Sequence, residues 1–201
     1  MKKIVIIGPE STGKSTLCEQ LATHYNTLWC PEYAREYLMK NARPDDPVGW
    51  GMNYNYDDLL TIAKGQIELE EKYTEIASGK WQEASGKKPQ PPPTIHNSLL
   101  FIDTNMYVMK VWCDFVFGKC HQYILDQIAE RKYDLYLLCN NDLPWIKDEL
   151  REYPDLETRQ KLFFIYSDIM KNQSTPWVEI SGNYEQRLQI AIAAVDSLIK
   201  N

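Results

Sequence analysis

The sequence predicts an α/β protein in which a parallel sheet is covered by helices on both faces, with all 201 residues in one domain. The apolar run Ile4-Val5-Ile6-Ile7 leads directly into Gly8-Pro9-Glu10-Ser11-Thr12-Gly13-Lys14-Ser15, which fills every fixed position of the phosphate-binding pattern G-x-x-x-x-G-K-[S/T]. Short apolar runs then alternate with segments of helical periodicity to the end of the chain. One of those runs, Leu99-Leu100-Phe101-Ile102, ends in a carboxylate, Asp103.

The first strand ends at Ile7, and the loop after it turns backbone N–H groups toward an anion, with a helix beginning near Lys14 to add its positive end. Gly8 and Gly13 allow backbone angles and close approach that a Cβ would obstruct. Lys14 reaches the β- and γ-phosphates of a nucleoside triphosphate, and the Ser15 hydroxyl is a Mg²⁺ ligand. Residues 16–25 continue as a helix with Leu17 and Leu21 on one face. A short strand, Thr27-Leu28-Trp29-Cys30, stops at Pro31, after which Glu32-Tyr33-Ala34-Arg35-Glu36-Tyr37 opens a helix over the end of the sheet where ligands sit.

Pro44, Pro47, Gly49 and Gly51 mark a loop before a long helix from Tyr56 to about Ser78. Segment 79–97, with Gly79, Gly86 and a proline cluster from Pro89 to Pro93, reads as an exposed insertion. The strand ending at Asp103 feeds a helix containing Val108, Val111 and Trp112. Residues 121–131 form the next helix, Leu135-Tyr136-Leu137-Leu138-Cys139 the next strand, and residues 159–170 another helix. The final strand spans 177–180 and the terminal helix 185–199, with Leu188, Ile192, Val195 and Ile199 as its apolar stripe.

Asp103 is suited to hold the Mg²⁺ shell or to accept the proton of an attacking hydroxyl, and as a bland alternative it caps the following helix. Glu32 and Arg35, three residues apart on a helix, orient a hydroxyl and contact phosphate; with Glu36 they otherwise form an ordinary solvated helix start. Arg151 and Arg159 flank a polar stretch and form either a closing clamp on the nucleotide or surface salt links. The region from about 143 to 159 is the expected lid. Trp145 and Tyr107 are stacking candidates that compete with a core role, and Asp142 bonds ribose or stabilises its loop. Trp112, Phe115 and Phe117 are assigned to the core.

The hydrophobic fraction of 44% supports one sizeable core. A formal charge of −6, from 28 acidic and 22 basic side chains, argues against a nucleic-acid partner. Cys18, Cys30, Cys113, Cys120 and Cys139 lack paired spacing and fit reduced thiols in the cytoplasm, and the first apolar run is too short for a membrane span.

The phosphate loop, Pro31-Glu32-Tyr33-Ala34-Arg35-Glu36, Phe101-Ile102-Asp103-Thr104-Asn105, Asp142-Leu143-Pro144-Trp145, Asn172-Gln173-Ser174-Thr175-Pro176-Trp177 and Gly182-Asn183-Tyr184 together resemble the ribosylnicotinamide kinase family. They are similar to the kinase domain of bifunctional bacterial NAD-biosynthesis and regulatory proteins, over nearly the whole chain except segment 79–97. The resemblance implies a P-loop NTP hydrolase fold, like nucleoside and nucleotide kinases, with an arginine-bearing lid. It implies ATP- and Mg²⁺-dependent phosphorylation of the ribose 5′-hydroxyl of nicotinamide riboside. On that likeness the loop from Gly8 through Ser15, with Thr16, binds the donor, Ser15 and Asp103 hold the metal, and Thr175 and Asn183 approach adenine. Asp103 and Glu32 hold or deprotonate the acceptor, with Asp103 favoured, and Trp145 stacks on nicotinamide.

The bifunctional relatives carry a nucleotidylyltransferase domain before the kinase, so product adenylation and DNA-bound repression are not expected of this polypeptide. Kinase activity on another nucleoside, and a nucleotide-controlled module that engages a protein through segment 79–97, are the competing readings. The expected partner is a small-molecule nucleoside, with homo-oligomer contacts left open.

Overall fold

The computed structural model describes residues 1–41, 54–79, 99–146 and 153–200. In order, its elements are β1 (Lys2–Ile7), α1 (Lys14–His24), β2 (Leu28–Cys30), α2 (Tyr33–Asn41), α3 (Tyr56–Ala77), β3 (Leu99–Asp103), α4 (Met106–Phe117), α5 (Gln122–Glu130), β4 (Leu135–Cys139), α6 (Leu156–Asn172), β5 (Trp177–Ile180) and α7 (Tyr184–Lys200). The loop through Trp50, residues 80–97 of the insertion, and Arg151 within the lid lie outside the described residues.

The five strands are parallel in the order β2-β3-β1-β4-β5. A parallel sheet needs both faces covered, which is why β3 and β4, buried along their whole length, read as apolar runs rather than as alternating ones. Ile4, Ile6, Phe101, Leu137 and Ile180 face a layer formed by α1 and α7, where Leu17, Leu21, Ala191 and Val195 pack. Val5, Ile7, Leu100, Ile102 and Leu138 point the other way, against Val108 and Val111 of α4 and Leu162, Phe163, Tyr166 and Met170 of α6. A third cluster joins α2, α3, α4 and α5 through Ala34, Leu59, Ile62, Met106, Met109 and Ile124.

This architecture fixes the site by register. Ile6 of β1 pairs with Asp103 of β3, so the loop that follows β1 and the carboxylate that ends β3 emerge side by side at the carboxyl edge of the sheet.

Candidate active site

The phosphate loop keeps its shape because two of its positions have backbone angles that favour glycine. Gly8 has φ 138°, and a Cβ there would lie 2.6 Å from the Cys139 carbonyl oxygen, so only glycine lets β1 turn off against the end of β4. Gly13 has φ 76° and precedes α1 without a side chain to cap it. The first N–H groups of that helix are thus left for an anion, and Gly13, Lys14, Ser15 and Thr16 all line one cavity. The Thr12 hydroxyl and the Lys14 ammonium both donate to the Pro9 carbonyl, at 2.7 and 2.9 Å, closing the loop around the space a phosphate would fill.

Asp103 is buried beside this loop and accepts a 2.5 Å hydrogen bond from the Ser15 hydroxyl through Oδ2. Its Oδ1 is buried with no hydrogen-bond partner among the described residues. Burial, then the charge of Glu32, pushes its carboxyl up to about 6, while Lys14 and the nearby hydroxyls of Ser15 and Thr104 pull it down. A serine hydroxyl on one oxygen of a carboxylate whose other oxygen has no hydrogen-bond partner among the described residues suits a hard cation, so Ser15 and Asp103 fit a Mg²⁺ ion.

Thr104 holds φ 75°, an uncommon angle for a β-branched residue, and donates from its hydroxyl toward Glu32 Oε1 at 3.4 Å. The strained turn thereby links the two acidic side chains.

The cavity runs from the whole loop, Gly8 through Ser15 with Thr16, past Glu32 and Arg35. It ends at an apolar wall of Val111, Trp112, Phe115, Tyr153 and Tyr166. Trp112 and Phe115 therefore belong to the cavity and not to the closed core expected for them. Phe115 meets Tyr153 edge to face at 5.4 Å, and the Trp112 indole donates to the Tyr54 hydroxyl at 2.7 Å, fixing its ring. Phe117 does pack as expected, against Tyr54 and Tyr56.

Several expected site residues are placed elsewhere. Thr175 sits in the turn before β5, held by Gln173, at the amino edge of the parallel sheet and hence at the opposite end from the phosphate loop. That position rules it out as an adenine contact. Tyr107 leans its ring on Tyr136 in the core, and neither it nor the half-buried Trp145 reaches the cavity wall.

Arg159 is buried at the start of α6 and donates to the Asn141 and Leu143 carbonyls at 3.3 and 3.2 Å, so it ties a loop down rather than swinging over a ligand. Asp142 is engaged by Arg187 and by the Gly182 N–H, which makes it a structural partner of the loop and not a ribose ligand. Asn183 is at the correct edge of the sheet, where it exchanges capping bonds with Gln186.

Arg187 is a support of the phosphate loop that motif reading missed. From the first turn of α7 its buried guanidinium donates to the carbonyls of Gly182, Thr12 and Asn140 at 2.7, 3.1 and 2.8 Å, so one fork supports the phosphate loop and the end of β4 together. Its sequence signal was a charge one turn before the buried stripe of Ala191 and Val195.

A phosphate loop on a five-stranded parallel sheet, with a carboxylate at the end of the neighbouring strand, defines a P-loop domain of the kinase-like kind. The chain belongs to the AAA-domain family, whose model matches residues 3–187. It is 25% identical over 99% of its length to the trifunctional NAD biosynthesis/regulator protein NadR of Salmonella typhimurium, and it spans 43% of that relative.

A crystal structure of NadR protein in complex with NR superimposes with TM-score 0.72 at 22% identity, covering 98% of this chain and 49% of that one. A NadR structure with NAD and AMP-PNP gives TM-score 0.68 at 21% identity, covering 100% and 50%. Thymidylate kinase from Candida albicans shares the fold at TM-score 0.59 and 14% identity, covering 99% and 91%. No helix among the described residues is long and apolar enough to cross a membrane.

Proposed function

We propose that this chain is a cytoplasmic nucleoside kinase that transfers the γ-phosphoryl group of ATP to the ribose 5′-hydroxyl of nicotinamide riboside, yielding nicotinamide mononucleotide and ADP. The observation that carries the reading is that Glu32 lines the cavity between the phosphate loop and the aromatic wall, with Asp103 buried beside the loop on Ser15. Support for this acceptor comes from the likeness to NadR, of which one solved structure holds NR and another an ATP analogue.

In the proposed reaction the hydroxyl oxygen bonds to the γ-phosphorus as the bridging bond to the β-phosphate breaks, ADP leaves, and the hydroxyl proton passes to a carboxylate. Asp103 is assigned as that acceptor through Oδ1, which has no hydrogen-bond partner among the described residues, leaving Oδ2 on the Ser15 side for the metal. Glu32 orients the hydroxyl. Lys14 and the loop N–H groups balance the charge spread over the transferred group. Bound Mg²⁺, held by Ser15 and Asp103, would neutralise charge on the phosphates.

Trp112 and Tyr153 take over from Trp145 as the surfaces for a flat nicotinamide ring. The single domain closes through a lid over 143–159. Support for that closure lies in the Ile146 N–H donating to Ser11 Oγ at 3.0 Å and the Tyr153 N–H to Glu10 Oε1 at 2.5 Å, which hold both described flanks to the phosphate loop. Arg151 is assigned to the phosphates on closure.

The test is acceptor-dependent ADP release by the purified chain with nicotinamide riboside, other nucleosides, and an Arg151→Ala variant. Turnover selective for nicotinamide riboside supports the proposal; selective turnover with another nucleoside replaces the acceptor, and the absence of any acceptor dependence rejects kinase activity.

A further inference from the structure

Glu32 lies between β2 and α2, immediately before the first residue of the helix. What holds its backbone is Gln66, a buried amide near the middle of α3. Gln66 Oε1 accepts from the Tyr33 N–H at 2.7 Å, and its Nε2 donates to the Pro31 carbonyl at 3.3 Å. One side chain thus grips the peptide groups on both sides of Glu32. The Tyr33 N–H is among the first-turn donors that α2 cannot satisfy itself, so the amide also caps that helix from outside.

Next to it, Gly65 lies in contact range of the Tyr33 ring, and a Cβ at that position would collide with the ring carbons. Glycine inside a helix costs about 1 kcal/mol relative to alanine, and here the close approach of Tyr33 requires it. Polar burial at Gln66 is likewise unfavourable unless both amide groups are used, and both are used on this one turn.

We infer that Gln66, with Gly65 beside it, is a positioning residue for phosphoryl transfer: α3 clamps the turn Pro31-Glu32-Tyr33 so that the Glu32 carboxylate stays on Thr104 and on the acceptor side of the cavity. Its catalytic consequence rests on the kinase reading, whereas the clamp itself does not. A displacement of about 1 Å at an orienting group is enough to cost of the order of a hundredfold in rate.

The test compares Gln66→Met, Gly65→Ala, Glu32→Gln and the two double variants with Glu32→Gln. Hydrogen exchange at the Tyr33 amide should rise about tenfold or more in Gln66→Met, because the N–H loses its acceptor. Acceptor turnover should fall about tenfold to a hundredfold in Gln66→Met and in Gly65→Ala, with KM for ATP within about twofold. In the Glu32→Gln background either substitution should add less than about a twofold loss, since the group being positioned is already gone.

Unchanged Tyr33 exchange overturns the clamp. An equal loss of turnover with and without Glu32 reduces Gln66 to a structural role. Where Gln66→Met does not fold, Gly65→Ala carries the same comparison without touching the amide. A wild-type chain that phosphorylates no nucleoside removes the kinase reading and the catalytic consequence with it, and Tyr33 exchange then decides the clamp alone.

Discussion

Two carboxylates are buried at opposite ends of the same sheet, and they are treated differently. At the amino edge, Glu70 of α3 accepts from Lys3 Nζ at 2.8 Å, from Arg131 Nη1 at 3.3 Å and from the Tyr133 hydroxyl at 2.9 Å. Burial and the Glu70 charge hold the Tyr133 phenol well above its ordinary value, so it remains a proton donor to that network. At the carboxyl edge, Asp103 has one oxygen on Ser15 and the other without a hydrogen-bond partner among the described residues, with a second carboxylate across from it. A buried charge that only holds a fold is surrounded by donors, as Glu70 is. One left short of donors destabilises the fold where it sits, and such a position is informative about function.

The comparison breaks most sharply on activity. Asp103→Asn should lower kcat for phosphoryl transfer about a thousandfold while circular dichroism reports an intact fold, because the variant keeps the size of the side chain and loses its basicity. Near-normal turnover at saturating Mg²⁺ would remove Asp103 from the chemistry. Glu70→Ala should do the reverse. It strands the Lys3 ammonium and leaves the Tyr133 hydroxyl without its acceptor, while Arg131 keeps Glu71 and Gln127, and denaturant titration should show a loss of about 3 kcal/mol, with kcat of the folded protein within about twofold.

A finer test uses pH. Asp103 has a folded-state value of about 6 against an ordinary 3.8, so the folded chain holds this proton more tightly than the unfolded chain. Its contribution to stability is present in full below the ordinary value and is lost as pH rises through about 6. Unfolding free energy measured between these limits should therefore decline with pH in the wild type relative to Asp103→Asn, and parallel curves would contradict the raised value. The smallest effect is at the wall: Trp112→Ala should raise KM for nicotinamide riboside about tenfold, and Trp145→Ala should leave it within about twofold, as measured by initial rates.

What was legible in the sequence follows the same division. The strand at 135–139 and the carboxylate at the end of β3 were readable because strands buried on both faces leave continuous apolar runs, and the phosphate loop was readable because its chemistry fixes residue types at fixed spacing. The cavity wall was not. Trp112 and Phe115 have the composition and periodicity of core residues, and one side of a helix does not announce whether it meets protein or a ligand-sized space.

Thr175 was misplaced because a turn sequence carries no record of the sheet edge on which it lies. Gln66 and Glu70 did leave a trace: each occupies a position on the buried stripe of α3, next to Ile62, Ala63 and Ile67, where an apolar residue is expected. Their partners, the Pro31 carbonyl, Lys3 and Tyr133, come from distant segments, so the reason for each polar residue emerges only with the fold.

The most direct measurement is conversion of nicotinamide riboside to its 5′-monophosphate by the purified chain with Mg-ATP, alongside Lys14→Ala. The account predicts selective, ATP-dependent product formation that is lost in the variant. A folded chain that binds Mg-ATP and forms no phosphorylated product with any nucleoside would contradict it.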